Sequence, residues 1–127
     1  MKLFKKIVMF GFIVSSVINL YLSKALAEMK GSITEYRVFY HVNNVDRSEF
    51  VFTLDNQNLN IDGSTKSWPS CASSKRFAVD VTTNQGPTVV SAIIAAHAQG
   101  KEIQVEGNGT CSVWGNAETV SYITATN

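Results

Sequence analysis

Charge is scarce in this chain, and so are the residues from which small active sites are usually built. Only 17% of its 127 residues are Asp, Glu, Lys or Arg, and it has two histidines and two cysteines. There is no HExxH, no CxxC and no pairing of His with Cys at metal spacing, so neither a zinc site nor a redox dithiol is expected. His41 falls on a strand-like segment and His97 on a helical one; for His97 a surface or interface position is a simpler reading than a ligand or pH-sensing role. Asp80, Glu102, Glu106 and Glu118 lie on strand-like segments, where solvated faces explain them more simply than acid–base work. The run Gly107-Asn108-Gly109-Thr110-Cys111 is glycine-rich but follows a strand and opens no helix, which disfavours a phosphate loop. We expect no enzyme, no cofactor and no metal. A small hydrolase stays open only if a pocket gathers Asp80 or a glutamate with a histidine.

An excess of basic charge is also lacking. Four of the 11 basic residues (Lys2, Lys5, Lys6 and Lys24) fall in the first 27 positions, which leaves 7 against all 10 acidic residues and a net charge of −3 for residues 28–127. A mildly acidic surface is a poor match for nucleic acid, and that class of partner drops out. No second apolar run long enough to span a bilayer follows the first. Repeats, low-complexity segments and interdomain linkers are absent too, so residues 28–127 read as one compact domain.

The first 27 residues read as an address. Lys2, Lys5 and Lys6 make a positive start, Ile7 to Leu22 is apolar, and Ala25-Leu26-Ala27 fits the small-x-small cleavage pattern. The expectation is a signal peptide cleaved after Ala27 and a secreted or periplasmic product, with an uncleaved anchor as the alternative. Cys71 and Cys111 both lie in the exported part, where two cysteines make one disulfide. It closes a loop of 40 residues.

Three strand-like segments come first. Glu35 to Val42 alternates Tyr36, Val38, Tyr40 and Val42 against Arg37, Phe39 and His41, in a strand beginning near Ser32. Asn43-Asn44-Val45-Asp46 is a turn by composition. Glu49 to Leu54 places Phe50, Phe52 and Leu54 on one face. A long polar loop from Asp55 to Ser70, with Asp62-Gly63 as its main turn and a weak strand at Leu59–Ile61, leads to a third strand at Arg76–Val81. Long loops carry function more often than short ones.

The stretch Gly86–Lys101 is a helix by its boundaries. Gly86 serves as N-cap, Pro87 suits the first turn, Gly100 offers a left-handed stop and Lys101 a cation at the negative end. Val89, Val90, Ile93 and Ile94 recur at helical spacing over about 20 Å. Between Thr88 and Gln99 there is no charged side chain, whereas the wet face of a surface helix normally carries some. Either the helix is covered on two sides, with Val90, Ile94 and His97 at an oligomer interface, or its outer face is simply small. Glu102–Glu106 is the fourth strand, Asn108-Gly109 a type I′ turn, and the fifth strand opens at Cys111 and resumes as Glu118–Ala125. Asn108-Gly109-Thr110 also matches a glycosylation sequon.

Strand, strand, strand, helix, strand, strand is the order of a five-stranded OB-fold barrel. An α+β roll, with the helix across an open sheet, is the alternative. In the barrel, strands three and five are parallel neighbours, which lets Cys71 and Cys111 meet. The disulfide then draws Trp68 and Trp114 into one neighbourhood with Ser70 and Asn116. Aromatic rings beside such polar groups suit a sugar site; plugging the barrel ends is the competing role for both tryptophans.

The segments GSITEYRVFYHV, EFVFTL, CASS and TVVSAIIAAHAQGKEIQVEG resemble, in order and spacing, the cell-binding B subunits of bacterial AB5 toxins, and the subtilase cytotoxin type most. The resemblance covers most of residues 31–107 as a pattern of elements, not a diagnostic motif, and CSVWGNAETVSYITATN has no counterpart in it. It implies an OB-fold protomer, a homo-pentameric ring with helices around a pore, recognition of sialylated host glycans, and a toxin A subunit on a separate chain. None of the family's sugar-contacting residues maps onto a position here. The rival function is a monomeric periplasmic module that binds another protein, such as an enzyme inhibitor.

Overall fold

The computed structural model describes residues 28–42, 45–56, 60 and 67–125. The leader, the expected turn at Asn43-Asn44, Asp62-Gly63 and both ends of the weak strand (Leu59 and Ile61) lie outside them. Six strands and one helix follow in order: β1 (Glu28–Gly31), β2 (Ile33–Val42), β3 (Val45–Leu54), β4 (Phe77–Asp80), α1 (Gly86–Ala98), β5 (Ile103–Gly107) and β6 (Glu118–Ala125). The chain is mainly β with one helix. All six strands form one curled sheet in the order β1-β5-β6-β4-β3-β2. Its two outermost strands, β1 and β2, are consecutive in sequence and separated by Ser32 alone. Asp55 pins that corner: its Oδ1 accepts the Ser32 N–H at 3.0 Å, and its own N–H donates to the Ser32 carbonyl at 3.0 Å.

The alternation of Phe50, Phe52 and Leu54 places all three in one buried cluster with Met29, Phe77, Ile93, Ile103 and Val105. An aromatic row runs through it. Tyr36 stacks on Phe50 (5.3 Å between centroids), Phe50 meets Phe52 (6.0 Å), Phe52 meets Phe77 (5.6 Å) and Phe77 meets Trp68 (5.0 Å). Such pairs add about 0.5–1.5 kcal/mol each beyond their area. Val51 and Ala78 point the other way, as alternate strand residues must. With Ala117 they form a second small cluster under Phe39, Val113 and Trp114.

Several boundaries differ from expectation. Val45 and Asp46 belong to β3, because β2 and β3 pair out to Val42 and Val45. The third strand is shorter by a residue at each end, and the fourth runs one residue further along, from Ile103 to Gly107. Glu28–Gly31 is an additional strand, recruited by pairing with β5 from Glu28↔Glu106 to Gly31↔Ile103. Asn108-Gly109 is not a type I′ turn. That turn needs φ > 0 at both central residues, whereas among the described non-glycine residues Lys75 alone has a positive φ. The Asn108 side chain instead accepts bonds from the Thr110 N–H and hydroxyl, at 2.9 and 2.7 Å. Cys111 consequently lies in a loop ahead of β6 instead of opening the strand.

The helix ends as expected and begins differently. Gly100 takes φ +66°, and the Gly100 and Lys101 N–H groups return to the His97 and Ala96 carbonyls, a Schellman closure. At the other end Gln85, not Gly86, is the N-cap, and its side chain makes no capping bond. The Gly86 N–H is already taken by the Thr83 hydroxyl at 3.0 Å. Glycine is needed there for room, since a Cβ would stand 2.1 Å from the Asp80 carbonyl oxygen and 2.8 Å from the Val81 Cα. Because backbone atoms give way reluctantly, Gly86→Ala is expected to lower stability by about 1–3 kcal/mol. Thermal denaturation followed by circular dichroism checks this, and an unchanged melting temperature would contradict it.

Candidate binding surfaces

The disulfide joins the loops that lead into β4 and β6. Cys71 and Cys111 are bonded, with their Cα atoms 6.0 Å apart. The pairing follows from β4 and β6 running parallel at Phe77↔Glu118 and Ala78↔Thr119, which sets the loops before them side by side. Asn116 reinforces the junction: its carbonyl accepts the Ser74 N–H and hydroxyl, and its Oδ1 accepts Arg76 Nη2 at 3.2 Å.

The four expected ligand-binding residues are distributed around this junction. Ser70 is exposed in the turn closed by the Ala72 N–H on the Pro69 carbonyl. Trp114 is half-buried and stacks on Phe39 at 4.4 Å, with Asn116 two residues further on. Trp68 is also half-buried, but it packs with Phe77 on the main core. Phe77 and Ala78 face opposite ways along β4, so the tryptophans belong to different clusters on either side of that strand. Trp114 with Phe39 forms an aromatic plate beside Asn116 and Arg76, and Trp68 ends the aromatic row.

A second surface spans the helix and β2. Ile93 and Ala96 are buried, and Val90 packs partly against the core. Ile94 and His97, the other two expected interface residues, are exposed together with Thr88, Ser91, Ala95 and Ala98. This uncharged face meets β2 where His97 lies edge-on to Tyr36, 5.6 Å between centroids. From there Tyr36, Val38 and Tyr40 stand in a row along one face of β2, with Val38 61% and Tyr40 79% exposed. Nothing in the periodicity of EYRVFYHV marks that exposure. It follows from geometry, because β2 has ten residues whereas β4, two strands inward, has four. The outer half of β2 therefore projects beyond the core.

The third feature is a cavity of about 310 Å³ at the start of α1, where β4 and β6 part after two paired positions. Asp80, Gln85 and Ser121 are among its polar lining, and its apolar wall is valine. Asp80 was expected on a solvated face, and among the described residues the cavity brings no histidine to it. No signal in the sequence marks this site, since its residues come from four separate segments. No protein-family model, curated protein or solved structure matches the chain.

Proposed function

We propose that this chain is the glycan-binding B subunit of an AB5-type toxin, a secreted, non-catalytic OB-fold module that acts as a homo-pentamer. The observation that carries this reading is the uncharged outer face of α1, continuous through His97 and Tyr36 with the exposed Val38 and Tyr40. Soluble monomers seldom leave such a stretch to water, and a contiguous apolar surface marks an interface. A patch on one copy that meets a different patch on the next generates a closed ring when the rotation closes.

Strand pairing supports the OB barrel over the open roll. The first segment, bent at Ser32, pairs with β5 through Glu28–Gly31 and with β3 through Ile33–Val42, while β4 and β6 run parallel. Counting it as one bent strand gives the strand number of a five-stranded OB barrel, which supports that reading. The Phe39–Trp114 plate beside Asn116 supports a sugar surface, since pyranose C–H faces stack on aromatic rings. In this reading the ring displays sialylated-glycan sites and receives a separate A subunit.

The test is the native mass of oxidised residues 28–127 by size exclusion with light scattering. We expect about five protomer masses, falling to one in Val38→Asp/Tyr40→Asp, because a ring closed by isolated patches fails when each patch is charged. On a glycan array, Trp114→Ala abolishes binding, because Trp114 carries the aromatic plate with Phe39 whereas Trp68 packs in the main core. A monomeric wild-type chain would overturn the ring and put the monomeric periplasmic protein-binding module in its place.

A further inference from the structure

The cavity between β4, β6 and the start of α1 is used by neither of the surfaces assigned above. Its polar groups divide into those already engaged and those left over. The Thr83 hydroxyl donates to the Asp80 carbonyl and accepts the Gly86 N–H, both at 3.0 Å. The Thr119 hydroxyl is held by Ser112 at 3.2 Å and by the Val113 N–H at 3.4 Å. These bonds stiffen the walls. Asp80 Oδ1 accepts the Thr82 N–H at 2.8 Å and the Thr82 hydroxyl, while Oδ2 accepts no hydrogen bond among the described residues. The Gln85 side chain caps nothing, and Ser121 is exposed at the rim.

We propose that this cavity is a binding site for a neutral pyranose, with Asp80 Oδ2 accepting its hydroxyl protons and Gln85 and Ser121 completing its polar contacts. Three features select this chemistry. A carboxylate oxygen without a partner suits a ligand rich in O–H donors, and charge-assisted bonds of this kind are the strong ones. Val79, Val89, Val113 and Val120 offer an apolar wall to the C–H face of a ring. Among the described residues no lysine or arginine lines the cavity, and Asp80 brings a carboxylate to it, so an anionic sugar is repelled. A volume of about 310 Å³ lies at the small end of the range for ligand pockets, which fits one ring and not an extended oligosaccharide. The inference rests on the glycan reading only for the natural source of that ring, as one residue of a host glycan; binding itself requires neither the oligomer nor Trp114.

The experiment is a titration of ¹⁵N-labelled, oxidised residues 28–127 with methyl glycosides of galactose, glucose and mannose, read by amide chemical shifts. N-acetylneuraminate and methylammonium are the comparison ligands. At least one neutral glycoside is expected to shift the Val79, Val113 and Ser121 amides with millimolar affinity. Asp80→Asn retains the Oδ1 acceptor for Thr82 and therefore the turn, and it is expected to weaken binding about tenfold or more. Gln85→Ala, which removes no capping bond, is expected to weaken it several-fold. Silence of the cavity amides toward all three glycosides overturns the proposal. So does undiminished binding by Asp80→Asn, or stronger binding of the anionic sugar or the amine at the same amides. Pentamers that bind array glycans while these amides stay silent would sink this inference and leave the proposed function standing. Cavity binding by a chain that recognises no array glycan would do the reverse.

Discussion

Replacing Cys71 and Cys111 together by serine lowers the unfolding free energy by about 4 kcal/mol, the chain-entropy value for a closed loop of 40 residues. That is a large share of the roughly 5–15 kcal/mol typical of a whole domain. The bridge acts mainly on the unfolded chain. In the folded state the same loops stay joined by the bonds of Ser74 and Arg76 to Asn116 and by the Glu118 N–H on the Arg76 carbonyl. The serine variant therefore keeps its fold while its unfolded ensemble gains freedom. Equilibrium urea denaturation measures the loss as a lower midpoint. A loss below about 1 kcal/mol would mean that the two loops remain associated in the unfolded chain, against the entropic account.

Phe77→Ala is expected to cost about 3–5 kcal/mol. Phe77 is fully buried on a strand of four residues, and its ring lies between Phe52 and Trp68. Removing the ring opens a cavity under both. The row around it is built from inflexible rings on hydrogen-bonded strands, so the space closes poorly, which is the condition for the upper end of that range. At about 4–8 °C per kcal/mol for a domain of this size, the melting temperature falls by more than 10 °C. Trp68 supplies a second readout, since losing its partner exposes the indole and shifts its fluorescence to the red. A small change in melting temperature together with unchanged fluorescence would contradict the packing described for this row.

The two substitutions differ in how far the sequence anticipates them. The pairing of Cys71 with Cys111 follows from the cysteine count and from strand order alone. The contact between Phe77 and Trp68 does not, because Trp68 follows a long polar loop whose path no periodicity describes. The same divide runs through the candidate sites. The uncharged face of α1, with Ile94 and His97, was visible as a run without charge from Thr88 to Gln99. The row of Tyr36, Val38 and Tyr40 was visible as an alternation but not as a surface. Asp80 was visible only as one carboxylate among several.

Sequence by itself determined most of the local elements, the disulfide and the mainly β architecture with one helix. A period of two or of 3.6 is a property of neighbouring residues, and a glycine able to take φ +66° stops a helix wherever it packs. Thus β6 has its expected bounds, Glu118–Ala125, and α1 ends where Gly100 requires. Tertiary structure alone decided what each face meets. Pairing of Glu28–Gly31 with β5 made a strand of a segment with no signal of its own. The length of β2 beyond its neighbours turned an ordinary alternation into an exposed aromatic strip. Separation of β4 from β6 beside the α1 start created the cavity around Asp80. These outcomes depend on contacts between residues far apart in the chain, and burial, edge position and cavity volume exist only once those contacts are made.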